Sequence, residues 1–158
     1  MDFLMRVRCP RYAFVQTLLI AFIFSALPVN AEEYAQPLPE QQPGITTITA
    51  EDLAVMLDSA STPVVIDARA TKGRSRGYIE GSIHLADVDT HCASLAGVIQ
   101  GQDKAAVFYC SSSKCGRSLN ALKIAQSCHY RNVYWFRGGF EEWQNKGYPY
   151  ITATVPSR

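Results

Sequence analysis

The sequence lacks the features of several common functional classes. Lys and Arg number 15 and Asp and Glu 14, so the formal net charge of +1 gives no indication of a nucleic-acid partner. The five cysteines, at positions 9, 92, 110, 115 and 128, fit neither a zinc-binding pattern nor a dense disulfide framework, and none of them forms a C-x-x-C pair. Nothing near His84 forms a metal-binding cluster, and internal repeats are absent. What remains is a chain of 158 residues, 47% of them hydrophobic, long enough for one domain with a proper core.

The N-terminus has the layout of a secretory signal peptide. Basic residues come first: Arg6, Arg8 and Arg11. An apolar run from Tyr12 to Leu27 follows, and after Pro28 the small residues up to Ala31 fit a cleavage site. We expect residues 1–31 to be removed after Ala31, which predicts a periplasmic or secreted protein. The alternative is an inner-membrane anchor formed by residues 12–27, but that run is shorter than the roughly 20 residues of a spanning helix.

The remaining chain divides into three parts. Residues 32–44 contain three prolines among Gln and Glu and are predicted to form an extended, flexible leader. Residues 45–150 form the domain, and residues 151–158 are predicted to be a loose tail. Within the domain, Thr49 and Asp52 fit a capping box that begins a helix. Strands and helices alternate after it, which predicts an α/β fold with a mainly parallel sheet.

The domain is organised around a short apolar strand that ends at a cysteine. Residues 105–109 are predicted to form a buried strand, and residues 118–126 a helix with one apolar face. Cys110 therefore lies between the carboxyl end of a strand and the amino end of a helix. Free backbone N–H groups and the helix dipole point into such a loop, which lowers the pKa of a thiol and favours anions. A lone cysteine in this place would more often be a small buried hydrophobic residue.

The loop after Cys110 favours a reactive thiol over a buried one. A second cysteine follows at Cys115, and Lys114 and Arg117 flank it. Reactive thiols occupy electropositive, partly exposed positions. The candidate substrate-binding residues are those of the loop: Ser111, Ser112, Ser113, Lys114, Cys115, Gly116, Arg117 and Ser118. By contrast, Cys92 is predicted to be structural and Cys128 to be a buried thiol that ends the helix.

An Asp-x-Arg pair ends a second apolar run. Asp67 and Arg69 share a face if the strand continues, and they lie at its carboxyl end if the strand stops at Asp67. Open α/β sheets bind ligands at that end. A structural ion pair that fixes a loop is at least as well supported as a catalytic role. The next segment, residues 71–77, carries three basic side chains and is predicted to be a solvated loop or a basic rim that attracts anions.

Between about Ile45 and Pro149 the chain resembles the rhodanese-like domain family. The matching segments are Val64–Arg69, Gly77–His84, Phe108–Cys110 with its loop, Val133–Gly139 followed by Trp143, and Gly147–Pro149. The resemblance implies a five-stranded, mainly parallel sheet flanked by helices. It also implies a catalytic Cys110 that carries sulfur as a persulfide, a loop backbone that holds this sulfur, and a supporting role for Asp67 and Arg69.

The chain departs from the family pattern in two places. Tyr78 and Glu80 stand where family members often have His and Pro. The loop after Cys110 is longer than usual and resembles the extended loop of a subgroup with a second cysteine, a position that falls on Cys115. Phosphatases related to this fold use Cys-x5-Arg, whereas Arg117 here completes Cys-x6-Arg, which argues against phosphate monoesters.

The resulting hypothesis is a sulfurtransferase that needs no metal or organic cofactor. The Cys110 thiolate would attack thiosulfate or a similar sulfane donor while the loop N–H groups, with Lys114 or Arg117, stabilise the departing anion. The persulfide would then pass its sulfur to a thiol or to cyanide. Two alternatives remain: a thiol–disulfide redox protein that uses Cys110 and Cys115 with a partner protein, and a binding module with an idle site. Cys115 either forms a disulfide with Cys110 or only packs beneath the loop.

Overall fold

The computed structural model describes residues 38–152, in which strands and helices alternate. The elements are β1 (Thr46–Ile48), α1 (Ala50–Leu57), β2 (Val64–Asp67), α2 (Thr71–Arg74), β3 (Ile83–His84), α3 (Cys92–Val98), β4 (Ala106–Tyr109), α4 (Arg117–Ser127), β5 (Val133–Phe136) and α5 (Gly139–Asn145). A short 3₁₀ helix, Asp87–Asp89, precedes α3. The predicted signal peptide, its cleavage after Ala31, the start of the leader and the last six residues of the tail lie outside the described residues.

The five strands form one sheet in the order β1-β5-β4-β2-β3, and all four strand pairs are parallel. The predicted α/β fold with a five-stranded sheet flanked by helices is therefore confirmed. Parallel neighbours require crossover connections, and the helices between the strands supply them. β4 lies in the middle of the sheet, between β2 and β5, so the loop after it is surrounded on both sides by other strand ends.

The two faces of the sheet are covered by different helices. Val65 and Val107 point to the face that packs with Leu53 of α1 and Trp143 of α5. The neighbouring strand residues Ile66 and Phe108 point to the other face. There they pack with Leu95 of α3 and Leu122 of α4. Because both faces are covered, β2 and β4 are apolar at nearly every position, as the sequence predicts for parallel strands.

The predicted capping box at the start of α1 is confirmed. The Thr49 hydroxyl accepts a hydrogen bond from the amide of Asp52 at 3.2 Å, and the Asp52 carboxylate accepts one from the amide of Thr49 at 2.9 Å. These bonds satisfy two groups at the helix end that have no partner within the helix. The hydroxyl and the carboxylate therefore fix the point at which the chain leaves β1 and enters α1.

Both ends of the described chain contact the domain. In the segment predicted to be a leader, the carbonyls of Leu38 and Pro39 accept hydrogen bonds from Arg137. At the other end, Ile151 forms an antiparallel bridge with Tyr78. The ordered contacts thus begin before residue 45 and extend past residue 150. None of the helices within residues 38–152 has the length and apolar character needed to cross a membrane.

The structure corrects the prediction that Cys128 is a thiol, because Cys128 forms a disulfide with Cys92, and the structural role predicted for Cys92 is that of this bond. Their Cα atoms are 5.4 Å apart, and the bond joins the first residue of α3 to the C-cap of α4. The two residues are 36 apart in sequence, and closing a loop of that length stabilises the folded chain by roughly 3–4 kcal/mol. Four cysteines among the described residues thus form two bonds, the second of which lies in the loop after β4.

Candidate active site

Cys110 follows β4 directly, at the carboxyl edge of the sheet. The register places Asp67, Tyr109 and Phe136 at the same level, so three neighbouring strands end together here. The amide of Ala68 donates to the carbonyl of Tyr109 at 3.0 Å and continues the pairing one residue past β2. Cys110 is 1% exposed. The prediction that Cys110 lies at a strand end, before a polar loop and a helix, is confirmed, whereas the expected partial exposure of Cys110 is wrong for this disulfide-bonded state.

The loop backbone is fixed to the first turn of α5. The carbonyls of Cys110 and Ser111 accept hydrogen bonds from the amides of Phe140 and Glu141, each at 2.9 Å. Gly139 makes this approach possible: its φ is +64°, and a Cβ atom there would overlap the carbonyl oxygen of Cys110. The backbone of the candidate nucleophile is therefore held by a helix that comes almost 30 residues later in the chain.

Cys110 is joined to Cys115 by a disulfide. Their Cα atoms are 6.0 Å apart, within the range that a disulfide requires. The loop curls to allow this, since the amide of Cys115 donates to the carbonyl of Ser112 at 3.0 Å. Cys115 is partly exposed whereas Cys110 is buried. Of the two alternatives for Cys115, the structure has the disulfide.

The last two residues of the predicted loop, Arg117 and Ser118, contact other parts of the domain. Ser118 is buried, and its hydroxyl accepts a hydrogen bond from Nε1 of Trp135 at 3.0 Å. Arg117, the first residue of α4, forms an ion pair with Asp87 at 2.8 Å. Ser118 thus lies beneath the loop, and the guanidinium of Arg117 is directed toward the 3₁₀ helix. Gly116 is the N-cap of α4 and has no side chain to offer a ligand.

Two surface cavities flank the loop. The smaller, of about 340 Å³, is lined by residues that include Arg76 and Ser111. The larger, of about 660 Å³, is lined by residues that include Ser113, Lys114 and Arg137. Each cavity brings a cationic side chain beside the loop, but Glu141 lines both cavities and the larger also contains Glu40 and Glu142. The loop therefore has charges of both signs beside it, and Cys110 lines neither cavity. Within residues 38–152, no group of three or more His, Cys, Asp or Glu side chains is arranged to hold a metal ion.

A buried polar network lies next to the site. Asp67 is fully buried and accepts hydrogen bonds from the Arg69 guanidinium at 2.9 and 2.6 Å. Arg69 is itself 3% exposed, and its guanidinium lies 4.5 Å from the centre of the Phe140 ring. The hydroxyl of Tyr109 donates to Asp67 at 2.7 Å. The pair is thus directed into the protein, which agrees with the predicted supporting role in which an ion pair fixes a loop.

Arg74 belongs to the same network. It lies in the segment predicted to be a solvated loop or a basic rim, but α2 turns its side chain inward. Its guanidinium donates to Asp67 at 3.1 Å and to the hydroxyl and carbonyl of Ser82 at 2.9 and 2.8 Å. Arg76, two residues later, is exposed and lines the smaller cavity. The segment therefore contains a partly buried structural arginine, Arg74, an exposed cation beside the loop, Arg76, and the exposed Lys72.

The network shifts the acidity of its members. Burial alone would raise the pKa of Asp67, but the hydrogen bonds and charge of Arg69 outweigh it and hold the pKa below its ordinary value. Burial alone would lower the pKa of Arg69, but the hydrogen bonds and charge of Asp67 outweigh it and hold the pKa above its ordinary value. Burial and the negative charge of Asp67 raise the pKa of Tyr109. All three groups therefore keep their charge states across the neutral range.

Sequence reasoning missed three residues that shape the site. Gly139 ends one of the segments that resemble the family, yet its close approach to Cys110 follows only from the packing of α5 on the loop. Arg74 and Tyr109 carried no signal of their joint contact with Asp67. The Cys92–Cys128 disulfide had a usable signal, because four cysteines after the predicted signal peptide are an even number in a chain predicted to be exported.

Comparison with known proteins gives one family. The family model of the rhodanese-like domain matches residues 49–146. No curated protein matches the chain. The matched range contains β2 to β5 and the whole Cys110 loop, and thus every candidate site residue.

Solved structures share the fold at low identity. A protein from Bacillus halodurans aligns with a TM-score of 0.62 at 16% identity, over 68% of this chain and 77% of its own. A rhodanese-related protein from Thermoplasma volcanium gives a TM-score of 0.55 at 23% identity, over 67% and 97%. A thiosulfate sulfurtransferase from Pseudomonas aeruginosa gives a TM-score of 0.61 at 16% identity, over 70% of this chain but only 21% of its own. The likeness concerns the fold of the domain.

Proposed function

Because the chain belongs to the rhodanese-like domain family, we propose that it is an exported sulfurtransferase that carries sulfane sulfur on Cys110. The observation that carries this proposal is the position of Cys110, at the end of the central strand, on a backbone fixed by α5 and before the amino end of α4. The positive end of α4 favours a thiolate at this place. The similar fold of a sulfurtransferase supports the same reaction class.

The proposed reaction begins with the reduced loop. The Cys110 thiolate attacks the outer sulfur of thiosulfate or a similar donor, and sulfite or the corresponding anion departs with the electron pair of the broken S–S bond. Lys114 and Arg76 line the two cavities beside the loop and are the proposed cations for the anionic donor and the departing anion, where they must outweigh the negative charge of Glu141. A small acceptor, such as a thiol or cyanide, then takes the sulfur from the Cys110 persulfide. The disulfide must be reduced before the first attack.

A loading experiment tests the proposal. The Cys115→Ser variant keeps Cys110 and cannot form the loop disulfide, so thiosulfate should add one sulfur atom to Cys110 in most molecules. Intact mass before and after thiosulfate measures the gain, and cyanide should remove it as thiocyanate. A Cys115→Ser protein that takes up no sulfur from thiosulfate or from other sulfane donors would leave the idle binding module as the better description.

A thiol–disulfide redox protein is the second candidate, and the Cys110–Cys115 disulfide favours it. The two candidates differ in what reaches Cys110. A redox protein exchanges electrons with a partner dithiol and never acquires sulfur, whereas a sulfurtransferase gains sulfur from an anionic donor. The loading experiment with Cys115→Ser therefore separates them as well.

Export is the remaining part of the proposal. The order of basic, apolar and small residues before Glu32 supports it, and so do two disulfides among four cysteines, since disulfides persist in oxidising compartments. We expect the purified mature protein to begin at Glu32 or within a residue or two of it, as read by N-terminal sequencing. An intact Met1 in the membrane fraction would instead favour an anchor formed by residues 12–27.

A further inference from the structure

The two cysteines of the loop disulfide differ in exposure. Cys110 is 1% exposed, whereas Cys115 is partly exposed and lies beside the exposed Lys114. A small ion such as thiosulfate or cyanide can approach a sulfur atom carried by Cys110 after the loop opens. A thiol of another protein is much larger, and the sulfur atom it meets first is that of Cys115. The loop thus offers a separate route by which electrons reach the buried cysteine.

On the premise of the proposed sulfur transfer, we propose that Cys115 is a resolving cysteine that discharges the Cys110 persulfide inside the loop. The Cys115 thiolate attacks the inner sulfur of the persulfide and forms the Cys110–Cys115 bond. The bond between the inner and outer sulfur breaks, and the outer sulfur leaves with the electron pair as hydrosulfide. The two cysteine thiols are oxidised and the sulfane sulfur is reduced. The disulfide in the structure is the state in which this step ends.

A dithiol protein or small dithiol closes the cycle. Its first thiolate attacks the sulfur of the partly exposed Cys115, and Cys110 leaves as a thiolate before the amino end of α4, where the helix dipole stabilises it. Its second thiol then releases Cys115 by forming the partner's own disulfide. In sum, thiosulfate and a dithiol give sulfite, hydrosulfide and an oxidised dithiol. The second substrate of the site is thus a dithiol reductant, whereas cyanide competes with Cys115 for the persulfide by taking its outer sulfur as thiocyanate.

The geometry supports this step in preference to packing of Cys115 beneath the loop. The Cα atoms of the two cysteines are 6.0 Å apart, and the turn that joins the Cys115 amide to the Ser112 carbonyl brings them together. The same curl leaves the carbonyls of Cys110 and Ser111 bonded to α5. The loop therefore reaches the disulfide state without releasing the backbone of the nucleophile.

A single-turnover experiment tests the proposal. The wild type and Cys115→Ser are reduced, freed of reductant without oxygen and mixed with one equivalent of thiosulfate. The wild type should release about one equivalent each of sulfite and hydrosulfide and lose two hydrogen atoms from its mass, whereas Cys115→Ser should release sulfite, retain one extra sulfur atom and release no hydrosulfide. Dilution after sulfite release is complete should leave the first-order rate constant of hydrosulfide release unchanged, because the attack of Cys115 is intramolecular.

Trypsin locates the bond, since Lys114 separates the two loop cysteines. Cys110 falls on the peptide 105–114 and Cys115 on 115–117, while the other two cysteines fall on 77–104 and 124–131. Thiosulfate should join the first two peptides in the wild type and leave the state of the other two unchanged. A wild type that keeps its persulfide and releases no hydrosulfide overturns the role of Cys115 and leaves sulfur transfer intact. If neither protein releases sulfite, sulfur transfer from thiosulfate fails, and the discharge step fails with it.

Discussion

Cys110→Ser is expected to lower thiosulfate-dependent sulfur transfer by about a thousand-fold or more, because a serine hydroxyl cannot accept sulfane sulfur as a persulfide. The fold should survive. Serine is close to cysteine in size, and the contacts that position residue 110 come from its carbonyl, which accepts the Phe140 amide. Thiocyanate formation from thiosulfate and cyanide measures the transfer, and urea unfolding checks the stability.

The matched control is Cys115→Ser. Both variants lose the loop disulfide and leave one cysteine unpaired, so they differ only in which cysteine is kept. Cys115→Ser should retain transfer to cyanide and should no longer need a reductant before it turns over. Retention of most turnover in Cys110→Ser, or an equal loss in both variants, would mean that Cys110 is not the sulfur carrier.

Much of the fold could be predicted from local patterns. Short apolar runs such as Val64–Asp67 and Ala106–Tyr109 favour strands covered on both faces, and the helical segments between them favour crossover connections. The same patterns place Cys110 at a strand end. Local patterns do not give the order of strands in the sheet, which depends on pairing between distant segments. For this sequence the number of strands came from the resemblance to a family.

The contacts that complete the site could not be predicted in this way. The hydrogen bonds from α5 to the Cys110 loop join residues almost 30 apart, and the requirement for glycine at position 139 appears only when the two segments meet. Arg74 resembles any exposed arginine in the sequence, yet α2 turns it toward Asp67. Likewise, Cys92 and Cys128 are 36 residues apart, and only the packing of α3 on α4 brings them together.

The buried network around Asp67 links the end of β4, which precedes Cys110, to α5, which holds the Cys110 loop. Arg69 is held by Asp67 on one side and by the ring of Phe140 on the other, and Phe140 supplies the amide that binds the Cys110 carbonyl. Tyr109 precedes Cys110 in the chain, and its hydroxyl donates to Asp67. Asp67 thus contacts the residue before the nucleophile directly and supports α5, which holds the loop backbone, through Arg69. Its single negative charge pairs with two guanidinium groups, those of Arg69 and Arg74.

Asp67→Asn is expected to lower the free energy of unfolding by about 3–5 kcal/mol at neutral pH, because it leaves Arg69 buried without a charged partner. The substitution preserves the size of the side chain, so the loss reports on charge and hydrogen bonding rather than on a cavity. Urea unfolding of the oxidised proteins measures it. The loop should also move, and transfer by the reduced variant should fall even under conditions in which the protein remains folded.

The pH dependence of this loss gives a second test. The folded pKa of Asp67 lies below its unfolded value, so its contribution is complete above the unfolded pKa and disappears as the pH falls through the folded one. The difference between wild type and Asp67→Asn should therefore be constant near neutrality and shrink in acid. Glu51→Gln is the control, since Glu51 forms an exposed ion pair with Lys146 and its loss should change stability little. If Asp67→Asn is no more destabilising than Glu51→Gln, or its effect persists unchanged in acid, the network does not support the site through the charge of Asp67.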